Sequence, residues 1–539
     1  MAPVRKSPRQ HRAKTRRFIG AALIACLPGL CCAQEPAADA PGEQRRFDIW
    51  EYRVEGNTVL PAKTIESTVY PYLGPQRLVT DIDAAANSLE RAYRDAGYPT
   101  IFVAVPEQDV VGGVVRLQIL EGRIDRVRVE GARYFTPSGI RAGLPSLQHG
   151  EVLHVPSMQS ELSALNSASP DRKITPVLKP GRTPGMVDVD LKVRDERPLH
   201  GSLDLNNYNS VNTSETRLTT ALSYDNLWQR QHSFAMQWQI SPQRLGEVNV
   251  LSATYVLPWF DTDNRFALYV IDSHSDVASV GDINVIGDGR TYGARLVVPM
   301  PSTQRLVQSF SAGLDYKDSS EIIRLDPQNK IDTPIDYAVW SLQYNATQFS
   351  AKAQTQWTVG ANFGIRGAFN DDKVFHQKRF RSNANFAYLR AAVERLDYLP
   401  ADWQLGSRLA FQVTDEALIN NEQLSAGGDH SVRGYYESQA LGDSGAIAGL
   451  ELRTPVLLPK AEVVNTLRLL AFLEGARLRT RDALPDQDNN ASLASVGLGF
   501  QGQFWRRVDV SFDWAWLLID NGTVERFDQR AHMRLLWKF

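Results

Sequence analysis

Two stretches carry residue types that do chemistry in other proteins. Gly442-Asp443-Ser444-Gly445 has the form of a nucleophile turn, in which a serine hydroxyl would attack an acyl carbon. That reaction also needs a base placed to take the proton and donors for the oxyanion. The chain has nine histidines, and the nearest in sequence, His430, shares the same polar stretch with no dedicated His/Asp arrangement around it. Asp261-Thr262-Asp263-Asn264 begins as a calcium loop does, but lacks its glycine and closing glutamate. No HExxH, CxxC or Walker-type glycine loop occurs. Neither catalysis nor a bound metal or cofactor is expected.

Nine to twelve residues before the serine lies Val432-Arg433-Gly434-Tyr435, within "VRGYYES". An arginine offers five donors in a planar fork that a carboxylate can take bidentately. Gly434 permits a tight loop tip, and Tyr435 can bury its ring while pairing its hydroxyl. The bland alternative is a surface loop with a solvated arginine. The choice between them depends on the elements that carry the loop.

The last ten residues, "RAHMRLLWKF", put Ala531, Met533, Leu535, Trp537 and Phe539 on one face of a strand, with Arg530, His532, Arg534 and Lys538 on the other. Strict alternation ending in a C-terminal Phe resembles the assembly signal of bacterial outer-membrane barrels, with Trp537 and Phe539 as its aromatic end. The chain start is consistent with export. A basic segment precedes an apolar run from Phe18 to about Leu30, and small residues lead to Ala33. Residues 1–33 are expected to be a signal peptide, followed by a short linker over 34–46. A membrane anchor is the other reading, but the run is short for a span and contains Pro28. Leu23-Ile24-Ala25-Cys26 also resembles a lipidation box and ranks lower, because the apolar run continues past Cys26. All three cysteines fall before residue 33, so a mature chain without disulfides must be stabilised otherwise. A closed β-barrel does this by pairing every strand edge. The net charge of −2 gives no sign of nucleic-acid binding.

The chain changes character near residue 200. Ten of its eleven tryptophans lie beyond that point, as interfacial aromatic belts would require. Segments such as "FAMQWQI" and "VDVSFDWAWL" alternate apolar and polar residues. Sixteen segments of this kind are expected between 198 and 539, among them 305–315, 337–347, 445–456, 465–476, 507–517 and 528–539. Sixteen antiparallel strands enclose a water-filled lumen. Connections after even strands are generally short and those after odd strands often longer. Residues 414–444 then form the sixth outward-facing loop, which contains the Val-Arg-Gly-Tyr tetrad.

The first half contains a repeat. "WEYRVEGNTVLP" at 50–61 recurs as "IDRVRVEGARYFTP" at 124–137, with Val54-Glu55-Gly56 aligned to Val129-Glu130-Gly131. Each copy reads as a strand, two helical regions and two strands. In the first, Thr80 or Asp81 can cap a helix with Ala85, Leu89, Ala92 and Tyr93 on its apolar face, ended by Gly97. This arrangement, with Gly97-Tyr98, Val105-Pro106-Glu107-Gln108 and Glu121-Gly122-Arg123-Ile124, resembles the polypeptide-transport-associated (POTRA) module. The expected modules are POTRA 1 at 47–123 and POTRA 2 at 124–197, followed by the barrel at 198–539.

Two POTRA modules before a barrel whose sixth loop holds Val432-Arg433-Gly434-Tyr435 resemble the two-partner-secretion transporters, the TpsB or hemolysin secretion/activation type. The resemblance implies that loop six folds back into the lumen. It implies further that Arg433 meets an acidic residue in a Phe-x-Asp-x-Gly pattern on an inner strand. The matching stretch is "LLAFLEGARL", giving Phe472 and Glu474. Glu474 replaces the usual Asp, and Ala476 stands where the glycine is expected, with Gly475 one place early. The family also implies an outer-membrane location with periplasmic POTRA modules and a secreted exoprotein with an N-terminal secretion domain. The barrel-assembly machinery, periplasmic chaperones and outer-membrane lipid complete the expected partners, without nucleic acid. A barrel-assembly factor is the alternative; a passive porin or a lipid-modifying barrel enzyme fits less well, because neither needs POTRA modules. The family often adds an N-terminal plug helix, for which "QEPAADAPGEQRR" at 34–46 reads instead as a polar linker.

Overall fold

The computed structural model describes residues 46–539 except 184, 212, 260–261, 276, 281–282, 287, 325–329, 460–461 and 486. The expected signal peptide and residues 34–45 of the linker lie outside the described residues.

The first module comprises β1 (Arg46–Ile49), β2 (Glu51–Glu55), α1 (Ala62–Val69), β3 (Gly74–Leu78), α2 (Val79–Asp95), β4 (Phe102–Ala104) and β5 (Val114–Leu120). Its three-stranded sheet has the order β2-β5-β4, with β2 parallel to β5. The expected order of one strand, two helices and two strands is modified here, because β1 and β3 form an additional antiparallel pair. Helix α2 buries Ala85, Leu89 and Tyr93, while Ala92 is only partly buried. The cap differs from expectation. Thr80 and Asp81 lie inside the first turn, and the Asp81 carboxylate accepts from the Leu78 backbone N–H at 2.9 Å, just before the helix. Gly97, at φ +94°, takes the left-handed turn past the helix end.

The second module comprises β6 (Arg123–Glu130), α3 (Pro137–Ala142), α4 (Val155–Ser167), β7 (Arg172–Pro180) and β8 (Met186–Asp195), with sheet order β6-β8-β7. Ile124, Ile140, Leu153, Val189 and Leu191 are fully or almost fully buried in its core. On the sheet, Arg126 and Arg128 of β6 and Lys179 of β7 form ion pairs with Asp188 and Asp190 of β8. Lys179 Nζ, 2.5 Å away, holds the Asp190 carboxyl below the usual carboxylate range against the opposing cost of burial, and Arg128 adds to the effect.

The barrel follows: β9 (Leu199–Asn206), β10 (Arg217–Leu227), β11 (His232–Ile240), β12 (Asn249–Pro258) and β13 (Arg265–His274). A small hairpin, β14 (Val277–Val280) and β15 (Ile283–Ile286), precedes β16 (Asp288–Pro299), β17 (Leu306–Arg324), β18 (Lys330–Phe349) and β19 (Ala353–Phe363). Helix α5 (Asp372–Lys378) lies in the next loop, before β20 (Ala387–Tyr398) and β21 (Gln404–Val413). Loop six carries its own short pair, β22 (Leu424–Ala426) and β23 (Ala440–Gly442). The wall resumes with β24 (Ser444–Arg453), β25 (Val464–Arg479), β26 (Asn490–Phe504), β27 (Val508–Leu517) and β28 (Gln529–Lys538).

Sixteen of these strands close into one antiparallel barrel, with β28 paired to β9 from Arg534↔Asn206 to Lys538↔Ser202. The alternation that identified the strands is visible in their burial. On β25, Leu470, Phe472, Glu474, Ala476 and Leu478 are buried, while Leu469, Ala471 and Leu473 are exposed. Exposed large apolar residues such as Trp238, Leu268, Leu409, Trp514 and Leu535 lie on many different strands. Lipid, not water, is the solvent such a face requires. One boundary reading is corrected. Strands expected at 305–315 and 337–347 continue outward as a hairpin paired up to Arg324↔Lys330. Beyond the membrane the lipid-facing alternation is no longer needed, so the sequence pattern faded while the backbone ladder continued.

Candidate functional site

Loop six enters the barrel because its apolar residues have a core to join. Val432 and Tyr435 are fully buried with Leu424, Ala426 and Ala440 of the loop and Ile447, Ala476, Leu478, Leu493 and Leu517 of the wall. Gly434 is at φ +96°, a conformation that glycine adopts without steric cost. A Cβ at that position would meet Ala515 Cβ at 2.9 Å, so the glycine also permits close approach to β27. The Gly434 N–H donates to Nε2 of His532 on β28 at 2.8 Å. The Tyr435 hydroxyl donates to the Ile519 carbonyl at 2.7 Å.

The tetrad arginine is almost completely buried. Glu474 uses both oxygens on it. Oε2 accepts from the Arg433 backbone N–H at 2.7 Å, and Oε1 accepts from Nη2 at 2.8 Å and Nε at 3.1 Å. Glu451 on β24 lies 2.8 Å from Nη2, and Asp513 on β27 lies 3.5 Å from Nη1. The Phe472 ring lies 3.7 Å from the guanidinium carbon. Arg408 of β21 donates to the Ser431 carbonyl at 2.7 Å and also reaches Glu474. One loop arginine thus faces three wall carboxylates and an aromatic face, an arrangement that fixes the position and plane of its fork.

Phe472 and Glu474 therefore lie beside the tetrad, but Gly475 does not. Strand alternation turns Gly475 away from the lumen face that carries Glu474 and Ala476, and it takes no part in the site. Glu451, Asp513, His532 and Arg408 were not singled out from the sequence. Their signal was an inward charge or imidazole on an alternating strand, visible only after the register is known.

The nucleophile-like turn has a structural role. Asp443 is fully buried and accepts from Arg379 Nη1 and Nη2 at 2.5 and 2.7 Å. The Leu418 N–H, Gln423 Nε2 and Arg481 N–H donate to it at 3.0, 3.0 and 2.6 Å. Ser444 Oγ donates to the Thr414 carbonyl at 3.2 Å and accepts from the Thr414 N–H at 3.1 Å. A second buried acid, Glu422, is held by Lys317 at 2.6 Å and by the hydroxyls of Tyr337 and Tyr388 at 2.7 Å each. Glu422 ties the base of loop six to the wall, and Asp443 ties it to the loop that carries α5. In the calcium-like stretch, Asp261 is outside the described residues, and Thr262 Oγ1 donates to the Trp259 carbonyl at 2.6 Å.

Loop six leaves open space beside it. A cavity of about 920 Å³ adjoins Asp429 and Arg433 and is walled by polar strand residues including Glu394, Arg408, Gln501 and Arg534.

At the C-terminus, Trp537 and Phe539 face outward with their ring centroids 5.1 Å apart. Phe539 donates its N–H to the Gly201 carbonyl at 2.9 Å and accepts from the Gly201 N–H at 3.0 Å, which extends the closing seam. Its ring covers Gly201, where a Cβ would fall 2.3 Å from the ring.

Two POTRA-type modules, a closed sixteen-strand barrel and an inward-folded sixth loop define a class: outer-membrane barrels that handle other proteins. The sequence profile for haemolysin secretion/activation protein ShlB/FhaC/HecB matches residues 185–502, and that for the ShlB-type POTRA domain matches 47–122. The chain belongs to the haemolysin secretion/activation family, the two-partner-secretion transporters of the outer membrane. Among relatives, the outer membrane transporter CdiB of Dickeya dadantii is 25% identical over 508 residues, covering 89% of this chain and 85% of that one. The heme/hemopexin transporter protein HuxB of Haemophilus influenzae is 19% identical, over 71% of this chain and 67% of its own. In fold, CdiB from Escherichia coli superposes with a TM-score of 0.65 at 20% identity, covering 94% of this chain and 93% of that one. BamA from Haemophilus ducreyi gives 0.56 at 15% identity, covering 92% and 100%.

Proposed function

We propose that this chain secretes one dedicated exoprotein of adhesin or hemolysin type. POTRA 1 (47–123) and POTRA 2 (124–197) recognise the N-terminal secretion domain of that partner as it emerges unfolded in the periplasm. An exposed sheet edge pairs with an extended segment by β-augmentation. The barrel (198–539) then conducts the chain outward. Val432, Arg433, Gly434 and Tyr435, held by Phe472 and Glu474, keep loop six in a defined lumenal position during transport. The partner folds outside, which removes unfolded chain from the equilibrium and supplies direction without a nucleotide. No catalytic step is assigned to any residue. Periplasmic chaperones keep the partner unfolded. The barrel-assembly machinery inserts the transporter into outer-membrane lipid by reading Trp537 and Phe539.

The observation that carries this reading is the polar cavity of about 920 Å³ beside an anchored loop six. Its charged and amide side chains can exchange hydrogen bonds with a passing backbone. The test is deletion of the gene, together with binding of the secretion domain to residues 34–197. Loss of one secreted protein from an otherwise normal outer-membrane proteome is expected. A general loss of outer-membrane barrels would favour an assembly factor instead.

A further inference from the structure

Away from loop six, three potential metal ligands converge where the second module joins the barrel. Asp171 precedes β7, His200 is on β9 and Asp225 is on β10. One ligand atom from each lies within 4.8 Å of the other two. His200 Nε2 stands 3.0 Å from the Asp171 carboxylate, and Asp171 is buried. The backbone around them is fixed: the Glu196 N–H donates to the Asp171 carbonyl at 2.8 Å and the Asp225 N–H to the Pro198 carbonyl at 2.9 Å.

Charge is unbalanced here. Two carboxylates face one imidazole, which carries at most a single positive charge. Among the described residues, the Asp225 carboxylate has no hydrogen-bonding or ion-pair partner, although the neighbouring strand ends are well paired. Ligands on a tetrahedral zinc ion sit roughly 3.3 Å apart, as metal–ligand distances of about 2.0–2.1 Å require. Asp171 and His200 stand 3.0 Å apart, slightly closer than that spacing, and Asp225 has to move by no more than about 1.5 Å to join the same shell.

We propose that Asp171, His200 and Asp225 bind a single zinc ion, with water in the remaining position. One nitrogen and two carboxylate oxygens form a mixed donor set that suits zinc. The ion would clasp the second module, through Asp171, to the first two barrel strands, through His200 and Asp225. Only Glu196-Arg197-Pro198 separates β8 from β9. The clasp would therefore lock this short hinge and fix the angle at which the module presents a partner to the barrel entrance.

The test uses the full-length, tag-free protein in detergent. Zinc titration by calorimetry should give one equivalent bound, and cobalt substitution should give the visible absorption of a low-coordinate nitrogen–oxygen site. His200→Ala and Asp225→Asn should each weaken zinc binding at least tenfold while heat-modifiability of the barrel stays unchanged. Zinc should also slow hydrogen exchange over residues 196–200 in the parent chain but not in the variants. If His200→Ala lowers barrel levels, His200→Gln replaces it. Absence of stoichiometric binding would overturn the proposal. So would binding that survives Asp171→Asn/His200→Gln/Asp225→Asn, because the ion would then be held elsewhere.

Discussion

The guanidinium carbon of Arg433 stands 3.7 Å from the centre of the Phe472 ring, on the same strand face as Glu474 two residues further along. The ring takes one face of the cation while Glu474, Glu451 and Asp513 take its edges. An ammonium could satisfy the charge but not this division of face and edge. Arg433→Lys is therefore expected to assemble a normal barrel, because the strand ladder is untouched. Secretion should fall roughly tenfold, the factor carried by about 1.4 kcal/mol. Secretion at parental level, with barrel amounts matched, would show that the fork geometry is unimportant.

Removing the arginine altogether should do more. Arg433→Ala leaves three carboxylates facing one another, whereas Glu474→Ala leaves the arginine with Glu451 and Asp513. Breaking a fully buried pair costs about 3–5 kcal/mol, and less where water reaches it. Arg433→Ala is thus expected to secrete less than Glu474→Ala, and the double variant should be little worse than Arg433→Ala alone. A four-variant secretion cycle measures this coupling, and additive defects would dissolve the pair.

How much of this was legible in the sequence depends on the force acting at each residue. The lipid face imposes strict alternation, so sixteen strands could be counted from segments such as "VDVSFDWAWL". Where that force ends, at the outward extension to Arg324 and Lys330, the count of strands survived but the boundary did not. Val432 to Tyr435, with Phe472 and Glu474, stood out because a short contiguous pattern carries them. Glu451, Asp513 and His532 reach the same site from three other strands. Nothing local marks them, because their meeting depends on barrel closure and register. Gly475 was drawn in by a one-residue offset, and a one-residue offset in a strand is a change of face.

Asp443 should prove a structural rather than a chemical residue. It neutralises Arg379 and accepts from Leu418, Gln423 and Arg481 at the root of loop six. Asp443→Asn removes the charge and replaces one acceptor by a donor, which strands Arg379 in a largely buried position. The outward loops are expected to loosen, giving raised ion conductance in planar bilayers and faster proteolysis of 414–443. Ser444→Ala should leave secretion within about fivefold, as the loss of its two long neutral hydrogen bonds to Thr414, together about 1 kcal/mol, allows. Abolished secretion on Ser444→Ala would reopen the nucleophile reading.

The second module should lose stability in acid for a nameable reason. The Asp190 carboxyl is held below the usual carboxylate range, chiefly by its hydrogen bond to Lys179 and despite its burial. Its ionised form is thus favoured by folding. This contribution is fully present above the unfolded-state pKa and disappears as pH falls through the lower, folded-state value. Asp190→Asn should flatten the stability–pH curve of residues 124–197 in that acidic window and lower stability at neutral pH, where Lys179 loses its partner and Arg128 keeps only the longer contact to Asp188. An unchanged acid slope would mean that other carboxylates carry it.

The seam between the last strand and the first offers the sharpest test of assembly. Phe539 continues the ladder through two backbone hydrogen bonds to Gly201, and its ring lies over that glycine where a Cβ would fall 2.3 Å away. Deleting Phe539 removes both bonds and the terminal aromatic ring, and is expected to lower heat-modifiable barrel in the outer membrane sharply. Gly201→Leu keeps the chain terminus but places carbon inside the ring's volume. Such overpacking costs about 1–3 kcal/mol when no relaxation is available. If the terminal residue acts only as a recognition tag, Gly201→Leu should assemble normally. If the packed seam itself matters, Gly201→Leu should be depleted as well, and Phe539→Ala in the same chain should partly restore it by removing the clash. Barrel levels of these variants, measured by heat-modifiability, distinguish the two roles, and a fully assembled Gly201→Leu barrel would rule out the packed seam.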